Sequence, residues 1–235
     1  MHKSILIIVP AYNEAQNIEA VIDDLNSLGI DLTVMVIDDG SSDNTSEVAK
    51  SCQSCVVIRH FINLGIGGAV QSGFKFAKRN NFDIAIQCDG DGQHDSEYIK
   101  HLIYETEQGY DMVIGSRFLF LGDNFKSTLP RRLGIKFLQL VSYILIGTKI
   151  TDSTSGFRAY SKNAIEFLAE NYPEDYPEPE AIILLSKNSY KIKEIPVKMN
   201  SRQKGESSIK GFSYLYYFFK VSLAMLLTNF RPKMR

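Results

Sequence analysis

The sequence predicts an α/β protein with a mostly parallel sheet that is covered by helices on both faces. Two observations support this prediction. Short isoleucine and valine runs alternate with helical patterns through the first 116 residues, and such alternation is typical of doubly wound α/β folds. The runs are continuously apolar, which indicates strands that are buried on both faces, as parallel strands are.

The elements of this first part follow in strict order. The predicted strands span Ser4–Val9, Leu32–Ile37, Val56–Arg59, Asp83–Gln87 and Asp111–Ile114. The helical patterns between them span Asn13–Leu28, Ser42–Ser51, Gly67–Arg79 and Ser96–Glu107. Because open α/β sheets bind ligands beyond the carboxyl ends of their strands, the polar segments that follow these runs are the candidate site.

The regular alternation of short strands and helices ends after Ser116. The later segments are a long apolar helix near Leu129–Ile146, a segment over Asp152–Tyr160, a helix that ends near Tyr172, a proline-rich acidic loop over residues 172–180, a further helix, a strand over Ile192–Val197 and an apolar helix over Phe212–Phe230. Neither an internal repeat nor a low-complexity linker is present in the sequence.

Length and composition are those of one globular domain with its own core: 235 residues, 44% of them hydrophobic. The N-terminal apolar run Ile5–Val9 is too short for a signal peptide, so we expect a cytosolic catalytic part. Three cysteines are too few for a disulfide framework. Cys52 and Cys55 lack the second pair that a zinc site needs, and reduced structural thiols are expected.

The net charge of −1 hides an uneven distribution. Residues 196–235 carry eight Lys or Arg and one acid, a net charge of +7, and the rest of the chain carries −8. This basic, aromatic-rich end predicts an anionic partner, for which we favour a membrane surface and not nucleic acid.

The helix over Phe212–Phe230 has three possible locations. Spanning a bilayer takes about 20 apolar residues, and Lys220 near the helix centre would cost roughly 3 kcal/mol. A helix that lies in the membrane interface, with the terminal basic residues on lipid head groups, fits better. Burial in the core or in a homodimer is the alternative.

The most informative segment follows the predicted strand Asp83–Gln87. Asp89 and Asp91 stand one residue apart, each followed by a glycine. Carboxylates at this spacing can hold a hard cation such as Mg²⁺ or Mn²⁺, which commonly bridges to substrate phosphates. An Asp-Gly pair is also an ordinary turn signal. The interpretation of this segment as a metal site therefore depends on the polar residues at the other strand ends.

The first strand ends in polar residues that suit a nucleotide. Pro10 stiffens the turn, and the Tyr12 ring can stack on a base. Asn13 can cap the next helix. Glu14 can accept a hydrogen bond from a base or ribose, although an acid in a first helical turn also suits the helix dipole.

The second strand ends in two adjacent acids, Asp38 and Asp39. Because Ser42 or Asp43 can cap the following helix, one of the paired acids is predicted to accept from a base or a ribose hydroxyl. The later glycine-rich loop over residues 63–69 lacks dinucleotide-binding spacing, since Val70 occupies the third glycine position. It is predicted to be a structural loop close to the nucleotide.

These ordered segments, Pro-Ala-Tyr-Asn-Glu, Asp-Asp-Gly-Ser, Asn-x-Gly and Asp-Gly-Asp-Gly-Gln, resemble those of the family-2 inverting glycosyltransferases. The nearest group is dolichyl-phosphate mannosyltransferase-like, with the GT-A fold, and the resemblance covers residues 4–210. It implies a donor pocket of Pro10, Tyr12, Glu14, Asp39, Asp89, Gly90, Asp91, Gln93 and Arg202. It also implies that Asp89, Asp91 and Gln93 hold Mg²⁺ or Mn²⁺.

The resemblance further implies four catalytic candidates. Arg117 would lie near a donor or acceptor phosphate, and Asp152 would belong to the segment that closes the acceptor side. Arg202 would belong to a mobile loop that clamps the diphosphate beside Asp91. One departure leaves the donor open: Ser208 stands where a lysine commonly follows Gly-Glu-Ser in this group.

The sequence therefore predicts a metal-dependent inverting glycosyltransferase, with a catalytic domain over residues 1–210 and a C-terminal helix over 211–235. It would move a sugar from a nucleotide-diphosphate sugar to a polyprenyl phosphate at the cytoplasmic face of the membrane, as a peripheral protein. A homodimer or a membrane-protein partner stays possible. Two rival functions are a transferase that extends a saccharide, for which Glu178 or Glu180 would be indispensable, and a non-catalytic nucleotide-sugar-binding subunit.

Overall fold

Within residues 3–119, 129–200 and 213–233, which the computed structural model describes, the chain forms one seven-stranded sheet covered by helices on both faces. The strands are β1 (Ile5–Ala11), β2 (Thr33–Asp38), β3 (Val56–Arg59), β4 (Ile84–Gln87), β5 (Met112–Ser116), β6 (Arg158–Ser161) and β7 (Ile192–Pro196). The helices are α1 (Ile18–Asn26), α2 (Thr45–Ser51), α3 (Gly65–Arg79), α4 (Ile99–Glu107), α5 (Leu129–Ile146), α6 (Lys162–Asn171), α7 (Pro177–Lys187) and α8 (Ser213–Phe230).

The strand order is β3-β2-β1-β4-β6-β5-β7, and the pairs are parallel except at β6. β6 runs antiparallel to both β4 and β5. The amino end of β6 therefore lies at the edge where the parallel strands end, and Arg158 pairs with Gln87 there. This reversal brings the segment before β6 to the loops that carry the predicted site.

Two apolar layers fill the faces of the sheet. One face is covered by α3, α6 and α7, and the other by α1, α2 and α4. A third cluster joins the last helix to this body, because Phe218, Val221 and Met225 of α8 pack with Leu138 of α5 and Ile183 of α7. The domain boundary predicted at residue 210 lies outside the described residues.

The mostly parallel α/β fold and six of the seven strands are confirmed, with ends that differ by at most two residues. β6 was missed, because its four residues, Arg-Ala-Tyr-Ser, contain no isoleucine or valine run. α1 begins at Ile18 and not at Asn13, since Asn13 has a positive φ of 57° that no helix contains. α7 begins at Pro177, inside the predicted acidic loop, because proline is well suited to the first helical turn.

Among the helices of the described residues, none combines the length and the apolar character that crossing a membrane requires. Cys52, Cys55 and Cys88 are free thiols, and burial raises the pKa of each of them.

Candidate active site

The carboxyl ends of β1, β2 and β4 meet at one edge of the sheet. Ala11 is in register with Asp38, and Ile8 is in register with Gln87. The segments that leave these strands therefore start side by side. This edge brings together the predicted nucleotide residues after β1 and β2 and the predicted metal residues after β4.

The loop after β4 is held by its own hydrogen bonds. The Gln93 main-chain N–H donates to Asp91 Oδ1 at 3.0 Å, and the Asp89 N–H donates to His94 Nδ1 at 3.0 Å. A side chain at Gly90 would place its Cβ 3.2 Å from the Pro10 carbonyl oxygen, tighter than an ordinary contact. Glycine therefore lets this loop lie against the end of β1.

The surroundings of Asp89 disfavour the ionised form of its carboxyl group. Removal of water by the surrounding protein and the negative charge of Asp91 raise the pKa of Asp89 to about 6, even though 39% of the side chain is exposed. His94 does not relieve this, because burial lowers the pKa of His94 to about 4 and leaves the ring neutral at neutral pH. The ring is fixed by stacking on Phe157 at a centroid distance of 4.7 Å.

Asp89 and Asp91 fit a hard divalent cation, because they lie close enough for the charge of Asp91 to raise the pKa of Asp89 and both line a cavity. That cavity, of about 260 Å³, is lined in part by Asp24, Asp89, Asp91 and Asn200. Within the described residues, His, Cys, Asp and Glu form no group of three that could hold a metal. Mg²⁺ and Mn²⁺ tolerate so few protein ligands, since they keep waters and bind substrate phosphates.

The third predicted metal residue, Gln93, contributes its main chain to this loop. Its N–H donates to Asp91 Oδ1, and its carbonyl oxygen accepts from the Asn200 N–H at 2.8 Å. The role of its side chain as a ligand stays a prediction. Arg202, the predicted diphosphate clamp, lies outside the described residues.

Arg117 is anchored by Asp152 at the end of β5. Its Nε donates to Asp152 Oδ2 and its Nη2 to Asp152 Oδ1, both at 2.7 Å, and Nη2 also donates to Thr154 Oγ1 at 3.0 Å. The Asp152 N–H donates to Glu194 Oε1 at 2.8 Å. Asp152 therefore fixes the Arg117 side chain, and its predicted role as a catalytic residue stays a prediction.

The segment before β6 joins Arg117 to the paired aspartates. A Cβ at Gly156 would lie 3.0 and 3.1 Å from the two carboxylate oxygens of Asp89. Ser155, three residues after Asp152, donates from its Oγ to the Gly115 carbonyl oxygen at 2.7 Å. The predicted phosphate arginine and the predicted metal pair thus border one cleft.

Arg158, at the start of β6, was missed by sequence reasoning. It is fully buried, and its guanidinium donates to the carbonyl oxygens of Ser155 (2.6 Å), Ser153 (2.9 Å) and Glu178 (2.7 Å). It therefore ties the segment before β6 to the first turn of α7. A lone arginine between Phe157 and Ala159 carries no sequence signal for this role.

The two acids predicted for a saccharide acceptor have different surroundings. Glu180 is buried and accepts from Thr228 Oγ1 at 2.7 Å and from the Tyr176 N–H at 3.2 Å, which links α7 to α8. Burial raises the pKa of Glu178, Arg158 opposes that shift, and the negative charge of Asp89 adds to it. Glu178 therefore lies in the electrostatic field of Asp89.

The turn after β1 carries the first of the predicted nucleotide residues. Tyr12 is 49% exposed, so its ring is accessible for stacking. The prediction that Asn13 caps the next helix is wrong. Asn13 Oδ1 instead accepts from the Ser42 N–H at 2.9 Å, which joins the loops after β1 and β2. Glu14 Oε2 accepts from Asn17 Nδ2 at 2.6 Å, so part of its carboxylate supports the start of α1.

The two acids after β2 divide their roles. Asp38 is fully buried, accepts from the Ser41 N–H at 2.9 Å and lies 3.4 Å from Arg59, so it is structural. Asp39 Oδ1 accepts from His60 Nδ1 at 2.7 Å and from the Leu64 N–H at 2.9 Å. His60 is a second residue that sequence reasoning missed, because it follows β3 at a distance of 21 residues from Asp39.

A mostly parallel sheet with one inserted antiparallel strand, and with paired aspartates at its carboxyl edge, defines this protein as a glycosyltransferase of the GT-A fold. The family model "Glycosyl transferase family 2" matches residues 6–168. The chain belongs to that family.

Relatives and solved structures agree with this assignment. The chain is 31% identical to UDP-N-acetylglucosamine–dolichyl-phosphate N-acetylglucosaminyltransferase of Methanococcus voltae, over 96% of this chain and 98% of that protein. It is 32% identical to dolichol-phosphate mannosyltransferase of Pyrococcus furiosus, over 92% of this chain and 62% of that protein. Its fold resembles that of glucosyl-3-phosphoglycerate synthase from Mycobacterium tuberculosis, solved with Mn²⁺, UDP-glucose and phosphoglyceric acid. The TM-score is 0.72 and the identity 18%, over 98% of this chain and 81% of that one.

Proposed function

We propose that the protein transfers a sugar from a nucleotide-diphosphate sugar to a polyprenyl phosphate, with inversion at the sugar carbon and with Mg²⁺ or Mn²⁺ as cofactor. The main support for a lipid acceptor is an apolar outer face on α5 and α8. We call it the apolar face; its exposed members are Phe137, Leu140, Tyr143 and Ile144 of α5 and Phe219, Leu223, Leu226, Leu227 and Phe230 of α8.

The apolar face is unusual because the opposite sides of both helices are apolar as well. Phe218, Val221 and Met225 of α8 face inward, while Phe219 and Leu227 keep 67% and 59% of their surface exposed. A soluble surface helix has one apolar stripe, and large exposed apolar patches mark interaction sites. The spacing of the exposed residues on α8 places them along one side of the helix.

The charges around the apolar face favour a lipid surface as its partner. Lys220, Arg231 and Lys233 are exposed on or just after α8. Cations beside an apolar helix face are attracted to anionic lipid head groups. A polyprenyl phosphate likewise carries an anionic head group on an apolar tail. The protein would therefore act as a peripheral protein at the cytoplasmic face of a membrane.

α5 connects the apolar face to the cleft. Gln139 Nε2 on α5 donates to the Thr151 carbonyl oxygen at 2.7 Å, and Thr151 directly precedes Asp152. A lipid whose tail lies on the apolar face could thus present its phosphate toward Arg117. The phosphate is already anionic at neutral pH, so the acceptor requires no strong base.

Charge stabilisation is the chemistry that the cleft offers. A divalent cation held by Asp89 and Asp91 would neutralise charge on the leaving diphosphate. Asp152 fixes the Arg117 guanidinium in one orientation, and a guanidinium donates to phosphate oxygens in pairs. Loss of one such donor typically costs about 10²–10³ in rate. The names of the relatives, which include a UDP-sugar and lipid phosphates, support the same donor and acceptor classes.

The first test is release of nucleoside diphosphate from UDP-GlcNAc, UDP-glucose and GDP-mannose with Mn²⁺ or Mg²⁺, with and without a short polyprenyl phosphate. We expect lipid-stimulated release that Asp91→Asn lowers by at least about 10²-fold. Asp95→Asn, in the same loop but outside the pair, is the matched control. Release that is indifferent to the lipid would contradict the proposed acceptor, and release unchanged in Asp91→Asn would contradict the metal site.

A saccharide acceptor is the second candidate, because Glu178 lies near Asp89 and its pKa is raised. A hydroxyl acceptor must lose a proton, which such a carboxylate could take. In the same assay, Glu178→Gln would then abolish turnover with a saccharide. Unchanged lipid-dependent turnover in Glu178→Gln supports the phosphate acceptor.

A further inference from the structure

We propose that His60 positions Asp39 so that one carboxylate oxygen alone is offered to the base of the donor, and that this selects uracil over guanine. The inference rests on the proposed function and names the donor class that the sequence left open. It is carried by the contacts of His60 and Asp39, which link the loop after β2 to α3.

His60 is held from three directions. Its Nδ1 lies 2.7 Å from Asp39 Oδ1, and its Nε2 lies 3.0 Å from Ser72 Oγ on α3. Its main-chain N–H donates to the Asp38 carbonyl oxygen at 2.8 Å. Only 12% of the His60 side chain is exposed, so the ring has little freedom to turn.

These contacts use up one oxygen of Asp39. A carboxylate oxygen only accepts, so His60 Nδ1 carries the proton that lies between them. The Leu64 N–H donates to the same oxygen, Oδ1, at 2.9 Å. Two donors occupy both lone pairs of Oδ1, and therefore the remaining acceptor capacity of Asp39 is at Oδ2.

Asp39 directly follows β2 at the edge of the sheet that carries the predicted nucleotide residues. Within the described residues, no side chain or main-chain donor is recorded on Oδ2, and 4% of Asp39 stays exposed. The Asp39 N–H donates to the Ala11 carbonyl oxygen at 2.9 Å, which fixes Asp39 beside the turn that carries Tyr12. The accessible Tyr12 ring and the single acceptor thus flank the same turn.

Base chemistry then decides the preference. Uracil has one N–H donor, N3–H, between two carbonyl groups, and one acceptor oxygen satisfies it. Guanine presents N1–H and the N2 amino group side by side, and both need acceptors, which a carboxylate supplies only with both oxygens free. With Oδ1 occupied, one guanine donor would be buried unsatisfied, which corresponds to roughly 10- to 100-fold weaker binding.

Two isosteric variants of His60 separate positioning from a merely structural role. Asparagine can place an amide N–H where Nδ1 stands, whereas glutamine can place one only where Nε2 stands. Titration calorimetry with UDP and GDP in Mn²⁺ should show wild type and His60→Asn binding UDP roughly 10-fold or more tightly than GDP. In His60→Gln the ratio of the two affinities should collapse toward one.

A third variant reverses the hydrogen-bond polarity. In Asp39→Asn the amide oxygen can stay on His60 and Leu64, which leaves an N–H at the Oδ2 position. Cytosine carries an acceptor at N3 where uracil carries a donor. We therefore expect Asp39→Asn to bind CDP more tightly than UDP, the opposite of the wild-type order. Thermal melting of each variant checks that it is folded.

The outcomes are distinct from those of the proposed function. GDP binding as tightly as UDP in wild type would overturn the inference and leave the proposed function standing. Equal losses for both nucleotides in His60→Asn and His60→Gln would also overturn it, because they would mean that His60 only stabilises the fold. If none of the three nucleoside diphosphates binds, the proposed function itself fails.

Discussion

At the scale of residues, the Arg117 and Asp152 pair carries the strongest energetic argument in the cleft. The Asp152 side chain is fully buried, whereas 18% of the Arg117 side chain is exposed. The geometry is bidentate, which distinguishes it from ordinary surface ion pairs of little value. Glu194 accepts from the Asp152 main chain, so the carboxylate that holds the guanidinium is itself fixed in place.

The first prediction follows from that arrangement. Asp152→Asn and Arg117→Ala should each lower kcat/KM for transfer by about 10²-fold, and the double variant should be no worse than Arg117→Ala alone, because both act through one guanidinium. Steady-state kinetics on the four proteins measures the coupling. Thr154→Val, which removes the bond from Arg117 at 3.0 Å and a longer one to Asp152 at 3.4 Å but keeps the bidentate pair, is the control and should change kcat/KM little. Additive losses would mean that Asp152 has a role independent of Arg117.

Residues of the site differ in how far the sequence could predict them. Asp89, Asp91 and Tyr12 lie in contiguous motifs at strand ends, so their common location follows from the parallel fold. His60 and Arg158 act through partners that are distant in the chain or are main-chain carbonyls. Neither contact leaves a local pattern, and only the tertiary structure reveals them. The sequence placed Asp39 at this edge of the sheet, but gave no sign that His60 and Leu64 occupy one of its oxygens.

At the scale of elements, the reversed strand β6 decides the shape of the cleft. It delivers residues 152–156 to the carboxyl edge, where Gly156 lies against Asp89. The parallel strands were predictable because strands buried on both faces are continuously apolar. β6 contains a buried arginine that is satisfied by three carbonyl oxygens, and a hydropathy pattern reads such a residue as exposed.

The packing of α8 on α5 gives the prediction at this scale. A Cβ at Gly134 would overlap ring carbons of Phe218, which is buried among the α5, α7 and α8 side chains. In a free helix alanine is more favourable than glycine by about 1 kcal/mol. Here overpacking should dominate, and Gly134→Ala should lower the free energy of unfolding by about 1–3 kcal/mol.

Chemical denaturation of Gly134→Ala measures this effect, and a second substitution checks its cause. Phe218→Leu removes the ring that the new methyl group would meet, so Gly134→Ala should cost less in that background than in wild type. If Gly134→Ala proves as stable as wild type, α5 and α8 do not pack at this point.

At the scale of the whole molecule, charge and apolar surface are both unevenly distributed. The basic residues are concentrated at the C-terminal end of an otherwise acidic chain, and the same end contributes α8 to the apolar face. The sequence predicted an apolar, basic terminal helix, but not which of its sides is covered. α8 is apolar all round, so no hydrophobic stripe distinguishes its inner from its outer side. Packing against α5 and α7 makes that choice.

The last prediction concerns this face. Phe219→Asp together with Leu227→Asp should abolish binding to vesicles that contain anionic phosphatidylglycerol, because the charges replace apolar surface that would enter the interface. Both side chains are more than half exposed, so the substitutions should leave the free energy of unfolding within about 0.5 kcal/mol of wild type. Co-sedimentation with the vesicles measures binding, and vesicles of neutral lipid show how much the basic residues contribute.

Tyr104→Asp is the matched control, since Tyr104 is 55% exposed on α4, outside the apolar face. It should sediment with the vesicles as wild type does. The double variant should also lose turnover with a long-chain polyprenyl phosphate in vesicles while it keeps turnover with a short, soluble one, because only the former must be reached at a membrane. Equal vesicle binding by the double variant and wild type would mean that the apolar face is covered by another protein surface. The oligomeric state in solution would then show whether that surface is a second copy of the chain.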